Sequence, residues 1–480
     1  MRRSLVLALA LLAAAPAAAG ERTLTFGRFG TVMLYGNEPR PAQVALFISG
    51  DGGWNKGVVD MARELAATGA LVVGVDIVHY LRQLGLAKES CLYPAAEFEA
   101  LSQYVQMKVG LPAYHPPVLV GYSSGATLAY AVLVQAPPNT FAGAISLGFC
   151  PDFPMTRPFC RGHGLAWEPR KNGQGVNFLA SSTLEQPWVA LQGTIDQVCD
   201  PAATARFVAA VPHGRIVMLP KVGHGFAVPR HWMPQFKQAF ADLAGAAAAP
   251  APAPAATTAV SGAATPAPDS DVAGLPLVEV AASGTASDTL AVIVSGDGGW
   301  AGIDREIGTV IAAHGTPVVG LNSLQYFWTK KTPAIAAADL VRILRHYLAA
   351  WHKQRVLLVG YSRGAEVLPF MADRLPPDLR ARVRLVALLG ATGRVAFEFH
   401  VEDWLGGSAA KDDLPVEPEV AKLAGLEVLC VYGSEERDSL CPALPPGLAT
   451  GLELKGAHHF GGAYREIAAA ILRTAGLGAS

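Results

Sequence analysis

Two serines sit in glycine-flanked turns, Gly121-Tyr122-Ser123-Ser124-Gly125 and Gly360-Tyr361-Ser362-Arg363-Gly364. Each follows a short apolar run and precedes a helix-like segment. In that context Gly-x-Ser-x-Gly reads as a nucleophile elbow, a tight turn that lifts the hydroxyl above a sheet. A serine becomes a nucleophile only with a base, an acid that orients the base, and N–H donors for the oxyanion. His224, in Lys221-Val222-Gly223-His224, and His458, in Lys455-Gly456-Ala457-His458, follow the last apolar strand of each half. That is where the base falls in the order serine, acid, histidine. Alignment of the two segments sets His459 opposite Gly225 and leaves His458 as the expected base.

The acid belongs on the loop after the preceding strand. In the first half Gly193-Thr194-Ile195-Asp196 points to Asp196, with Asp200 as second choice. In the second half Gly433-Ser434-Glu435-Glu436-Arg437-Asp438 holds three carboxylates. Counting from the glycine favours Glu436, and counting back from Cys441-Pro442 favours Asp438; Asp438 is the preferred expectation and Glu436 the alternative. Oxyanion donors come from the residue after each serine, Ser124 and Arg363, and from a loop after the first strand. Those loops are Ser49-Gly50-Asp51-Gly52-Gly53-Trp54 and Ser295-Gly296-Asp297-Gly298-Gly299-Trp300, which assign the donors to Asp51–Gly52 and Asp297–Gly298. The alternative for these loops is a helix-entry turn that the aspartate merely caps.

Loop, serine and histidine thus recur in the same order in two halves, which is a duplicated domain. The elements around them fit. Apolar runs expected as strands are 44–49, 71–75, 118–120, 144–147, 188–192 and 216–219 in the first half. Those of the second are 290–295, 317–321, 356–359, 385–389, 428–432 and 452–454. Several are unbroken Val/Ile/Leu, as strands buried on both faces must be, and helix-length segments alternate with them. The expectation is an α/β fold of two tandem α/β-hydrolase-like domains, each a mostly parallel sheet flanked by helices. Residues 22–244 and 275–480 would be these domains, joined by an Ala/Pro-rich linker at 245–274 that is too poor in large side chains to fold.

Arg2, Arg3 and the apolar run Leu5–Ala14 read as a signal peptide over residues 1–20, cleaved near Ala19 or Gly20. A retained anchor is the alternative. Beyond the leader there is no apolar run of roughly 18 residues, so no transmembrane helix is expected. Six cysteines in an exported chain favour disulfides. Pairing within halves forces Cys430–Cys441 and leaves three connectivities for Cys91, Cys150, Cys160 and Cys199. Their spacing suits no metal, and no cofactor is expected. A net charge of −1 gives no global reason to expect nucleic acid as a partner. Arg363 and Glu366 read first as an (i, i+3) helix pair. Their second reading is a pair of charges near the pocket, one for a phosphate and one for an ammonium. Asp304, Glu398, Glu402 and Asp403 are further acids for the ammonium.

Together these features resemble the AcvB/VirJ family of exported bacterial virulence-associated proteins. The resemblance is carried by the leader, the two-half build, Ser295–Trp300, Gly360–Glu366, Asp438-Ser439-Leu440-Cys441-Pro442 and His458-His459-Phe460-Gly461-Gly462. It implies a two-domain AcvB-like form whose second half is the VirJ-like module. It also implies a periplasmic hydrolase that returns lysyl-phosphatidylglycerol to phosphatidylglycerol and lysine, tuning membrane surface charge, with a link to type IV secretion. The family's serine and base carry over to Ser362 and His458, and its acid to Asp438. Retention of Ser123, Asp196 and His224 makes the first half a second candidate site. Competing readings are an exported serine esterase or peptidase of other specificity, a pseudo-hydrolase binding module, and a first half that serves only as scaffold or membrane-docking domain.

Overall fold

The computed structural model describes residues 22–89, 91–155, 157–171, 175–248, 272–300, 302–398 and 413–478. The leader, most of the linker, Glu402 and Asp403 lie outside the described residues. Each half builds one large sheet. In the first the strand order is Arg22–Phe26, Gly30–Tyr35, Leu71–Val75, Val44–Ile48, Val118–Tyr122, Gly143–Leu147, Trp188–Gly193 and Gly214–Leu219. In the second it is Leu277–Val280, Val318–Leu321, Thr289–Val294, Arg355–Tyr361, Val383–Leu389, Val428–Gly433 and Thr450–Leu454. All twelve expected strands form. They pair in parallel, while the added edge strands at the start of each half are antiparallel.

Both faces of each sheet are covered, which explains the continuous apolar runs. Val44, Leu46 and Ile48 feed one core and Ala45 and Phe47 the other, through the period-two alternation of a strand. Leu290, Val292 and Val294 are divided from Ala291 and Ile293 in the same way. The helices Lys56–Ala66 and Gly302–Ala313 follow the Gly-Asp-Gly-Gly-Trp loops, and Ser124–Gln135 and Arg363–Ala372 follow the serines. The tryptophan of each loop lies against a glycine of the neighbouring strand. A Cβ on Gly74 would come within 2.2 Å of Trp54, and one on Gly320 within 2.2 Å of Trp300. The indole and the bare backbone form one packing unit, which fixes the loop beside the sheet.

The helix Met233–Ala248 runs past the expected domain end at 244, since the alanine-rich start of the linker also favours helix. The disulfides are Cys91–Cys160, Cys150–Cys199 and Cys430–Cys441. No helix among the described residues is long and apolar enough to cross a membrane.

The halves pack together. Trp328 of the second half enters the first half's core and donates from Nε1 to the Leu111 carbonyl at 2.9 Å. Its ring centroid is 5.3 Å from that of Tyr114. Burying an indole contributes on the order of a few kcal/mol. Arg305 and Glu185 add an ion pair between the halves at 2.8 Å.

Candidate active site

Both serines stand between strand and helix with backbone angles open to few residues: φ 55°, ψ −123° at Ser123 and φ 53°, ψ −122° at Ser362. Such a conformation costs about 1–3 kcal/mol and persists only where its surroundings impose it. The flanking glycines explain how they do so. A Cβ on Gly121 would sit 2.0 Å from the Gly125 carbonyl oxygen, and one on Gly125 would sit 2.3 Å from that of Ser49. Gly360 and Gly364 face the same limits, 2.4 Å from the Gly364 oxygen and 1.9 Å from the Val294 oxygen. The helix can begin against the sheet only because both positions lack side chains.

The bases meet the serines. His224 Nε2 is 2.9 Å from Ser123 Oγ, and His458 Nε2 is 2.9 Å from Ser362 Oγ. Behind them, His224 Nδ1 lies 2.9 Å from Asp196 Oδ2 and His458 Nδ1 lies 2.6 Å from Glu436 Oε1. The preferred acid of the second half is therefore corrected. Asp438 is exposed, two residues farther along the loop, and Glu436 faces the imidazole. The turn decides this. Glu436 N–H donates to the Gly433 carbonyl at 3.0 Å, and Glu436 Oε2 accepts from Gly433 N–H at 2.7 Å. Asp196 closes the same turn onto Gly193 at 3.3 Å. Distance from the strand-ending glycine is preserved, while distance to the next cysteine is not. Asp200, the second choice in the first half, caps the helix Pro201–Ala209.

Burial raises the Asp196 carboxyl, but the Cys199 and Val198 amides and His224 outweigh it and hold the group below the usual carboxylate range. Asp196, Cys199 and His224 also fall within 4.8 Å of one another as metal-ligand types. The Cys199 sulfur is already in a disulfide, which removes it from that role.

Ser124 and Arg363 open their helices, so their amides belong to the unsatisfied first turn. The facing loops are closed by Gly53 N–H to Gly50 and Gly299 N–H to Gly296, at 2.9 and 3.0 Å, with residues 51–52 and 297–298 at the tips. The Arg363 side chain makes contacts that neither earlier reading contained. It pairs with Asp297 and donates to the Ala396 and Glu398 carbonyls at 2.8 and 3.0 Å. Glu366 accepts from Thr392 N–H and Oγ1–H at 3.2 and 2.6 Å, and burial pushes its carboxyl up to about 7. Neither side chain lines the cavity above Ser362. Arg363 instead anchors the 296–299 loop to the helix that follows Ser362.

Some supports were not read from the sequence. The tyrosine of each elbow donates to the carbonyl of the base, Tyr122 to His224 at 3.1 Å and Tyr361 to His458 at 3.3 Å. Gly148 and Gly390, which end equivalent strands, lie under the imidazoles. A Cβ there would stand 3.2 and 3.0 Å from Cε1 of His224 and His458. Their repetition one residue past Leu147 and Leu389 was the available signal. His459 holds Tyr361 OH at 3.1 Å through Nδ1 and takes no part in the Ser362 contact.

A cavity of about 920 Å³ opens over the second-half triad. Ser362, His458 and the glycines of the 296–299 loop line one side. Tyr93, Glu99 and His163, all from the first half, line another.

Among solved structures, the esterase domain of a Rhodothermus marinus protein is 17% identical. It covers 47% of this chain and 98% of its own, with a TM-score of 0.32. An α/β serine hydrolase without a lid from Xanthomonas campestris is 21% identical over 48% of this chain and 94% of its own, at 0.31. A serine hydrolase homologue from Coxiella burnetii gives 16%, 48%, 99% and 0.31. No curated protein matches the chain. The model of the family described as bacterial virulence protein (VirJ) matches residues 42–143 and 288–476. The first segment takes in Ser123 but ends before Asp196 and His224, and the second takes in the whole Ser362 constellation. With both elbows inside the match and more than half of the sequence covered, the chain belongs to the VirJ family of bacterial virulence proteins.

Proposed function

We propose that Ser362, His458 and Glu436 hydrolyse the aminoacyl ester of lysyl-phosphatidylglycerol in the periplasm. The observation that carries the reading is the unbroken chain from Ser362 Oγ through His458 to Glu436, 2.9 and 2.6 Å long, at the wall of one cavity. His458 Nε2 takes the serine proton as Oγ attacks the lysyl carbonyl, and Glu436 stabilises the imidazolium. Amides of Arg363 and the 297–298 loop receive the oxyanion. The lipid glycerol oxygen leaves with the proton from His458. Water, deprotonated by the same imidazole, then attacks the acyl-enzyme, and lysine departs as Ser362 regains its proton. The leader and three disulfides support an oxidising compartment outside the cytoplasm.

A second reading has its own support. Ser123, His224 and Asp196 are as well assembled as the second-half triad, which favours a further hydrolytic centre in the first half.

Free lysine released from lysyl-phosphatidylglycerol vesicles tests the main reading. Ser362→Ala is expected to abolish release and Ser123→Ala to leave most of it. Folded wild-type protein that releases no lysine would sink the lipid assignment.

A further inference from the structure

The first half contributes a wall to the second half's cavity. Tyr93, Ala96 and Glu99 recur every three residues, so they share one face at the start of the helix Pro94–Lys108. That face lines the same cavity as Ser362, with Glu99 Oε1 3.8 Å from where a Cβ of Gly298 would stand. His163 closes beside it, its Nε2 3.1 Å from where a Cβ of Gly302 would lie. Any side chain at Gly302 would press on the first half, so the close approach is built into the sequence.

The cavity is lined by four carboxyl groups, Glu99, Asp297, Asp304 and Glu306, with no lysine or arginine among the described lining residues. Asp297 is paired with Arg363, and Glu306 has Arg465 at 3.8 Å. Glu99 has only a long contact from Gln103 Nε2, 3.5 Å, and no cationic partner among the described residues. Its helix neighbour Glu97, by contrast, is paired with Arg28 at 2.5 Å. Two of the histidines that line the cavity, His163 from the first half and His459 from the second, are lowered by burial from the ordinary imidazole value.

We infer that Glu99 of the first half is a specificity-determining residue of the Ser362 site and receives an ammonium group of the acyl part of the substrate. The two halves then form one composite active site, and the duplicated domain is part of the binding surface. Burial pushes the Glu99 carboxyl up to about 8, so an empty site tends to keep it neutral and an entering cation favours its ionisation. An ester with a neutral acyl chain leaves that interaction unmade. A charge-assisted hydrogen bond of this kind corresponds to roughly 10–100-fold in affinity. The inference rests on Ser362 as the nucleophile of this cavity and is independent of which alcohol the ester carries.

The test uses the full chain with Ser123→Ala, so that only the second-half serine can turn over. Lysine p-nitrophenyl ester and p-nitrophenyl hexanoate are compared before and after Glu99→Gln. The expected result is a roughly 10–100-fold loss of kcat/KM on the lysine ester, mainly through KM, with hexanoate changed by less than about twofold. Equal effects on both esters, or none on the lysine ester, would overturn the inference. Inhibition of hexanoate turnover by lysinamide and by hexanamide gives a measurement without Glu99→Gln. Lysinamide should bind at least about tenfold more tightly, and equal inhibition overturns the inference whether or not the variant folds. Selectivity lost in Glu99→Gln by a protein that releases no lysine from vesicles would keep this inference and remove the lipid reading.

Discussion

Glu436 Oε1 lies 2.6 Å from His458 Nδ1, and its other oxygen is fixed at 2.7 Å by the amide of Gly433. One carboxylate thus orients the His458 imidazole and is itself oriented by the end of its own strand. Asp438, on the same loop, is exposed.

Glu436→Gln is therefore expected to lower kcat on esters cleaved at Ser362 by about 10³–10⁴-fold, through loss of the correct imidazole tautomer. Asp438→Asn should change it by less than about twofold. Steady-state turnover in the Ser123→Ala background separates the two, and the reverse ranking would return the acid to Asp438.

Trp300 and Gly320 make a separate prediction about stability. A methyl group on Gly320 would meet the indole at 2.2 Å, so Gly320→Ala should cost about 1–3 kcal/mol or displace the loop before it. Gly451→Ala, whose nearest neighbour is 4.0 Å away, serves as the strand control and should be near neutral. Urea midpoints for the two variants decide the matter.

Glu366 sets a pH dependence. Its folded pKa, raised by burial to about 7, lies above its ordinary value of 4.5. Between those values the folded chain holds a proton that the unfolded chain has lost, so this group makes stability fall as pH rises from 4.5 to 7. Glu366→Gln retains an acceptor for Thr392 and removes the titration. The wild-type minus variant difference should change by on the order of 2–3 kcal/mol across that window, read from denaturation at several pH values. A flat difference would contradict the assignment.

Cys150–Cys199 ties the acid loop of the first half to the segment after the strand Gly143–Leu147. The Cys199 amide also donates to Asp196 Oδ1 at 2.9 Å. Replacing both cysteines with alanine should destabilise the first half by about 2–4 kcal/mol. Ester turnover at Ser123, measured in a Ser362→Ala background, should fall, while turnover at Ser362 in a Ser123→Ala background stays. Equal loss at both serines would show that the bridge supports the whole chain and not one site.

Much of the site was legible because its parts are local. Glycines at the elbows, apolar runs before them and a histidine after the final strand are dictated within a few residues, and the duplication displayed each of them twice. The parallel strands were legible for the same reason, since burial on both faces leaves unbroken Val/Ile/Leu. The antiparallel strands Arg22–Phe26, Gly30–Tyr35 and Leu277–Val280 at the start of each half were not, because each is only partly buried and its apolar run is short or broken by polar residues.

The choice among Glu435, Glu436 and Asp438 needed the turn geometry, since three carboxylates in four residues offer the same chemistry in different directions. Pairing of the first four cysteines needed the chain's path. Arg363 and Glu366, adjacent on a helix, were separated because Asp297 and Thr392 come from other segments. The sequence by itself determined two glycine-flanked serine turns, two histidines after the final strands and the strands beneath them, since close-range sterics and burial periodicity act within each segment. The tertiary structure alone decided which acid faces His458 and brought Glu99 to the cavity of Ser362. Those contacts depend on the directions of side chains and on the packing of one half against the other, which no single segment encodes.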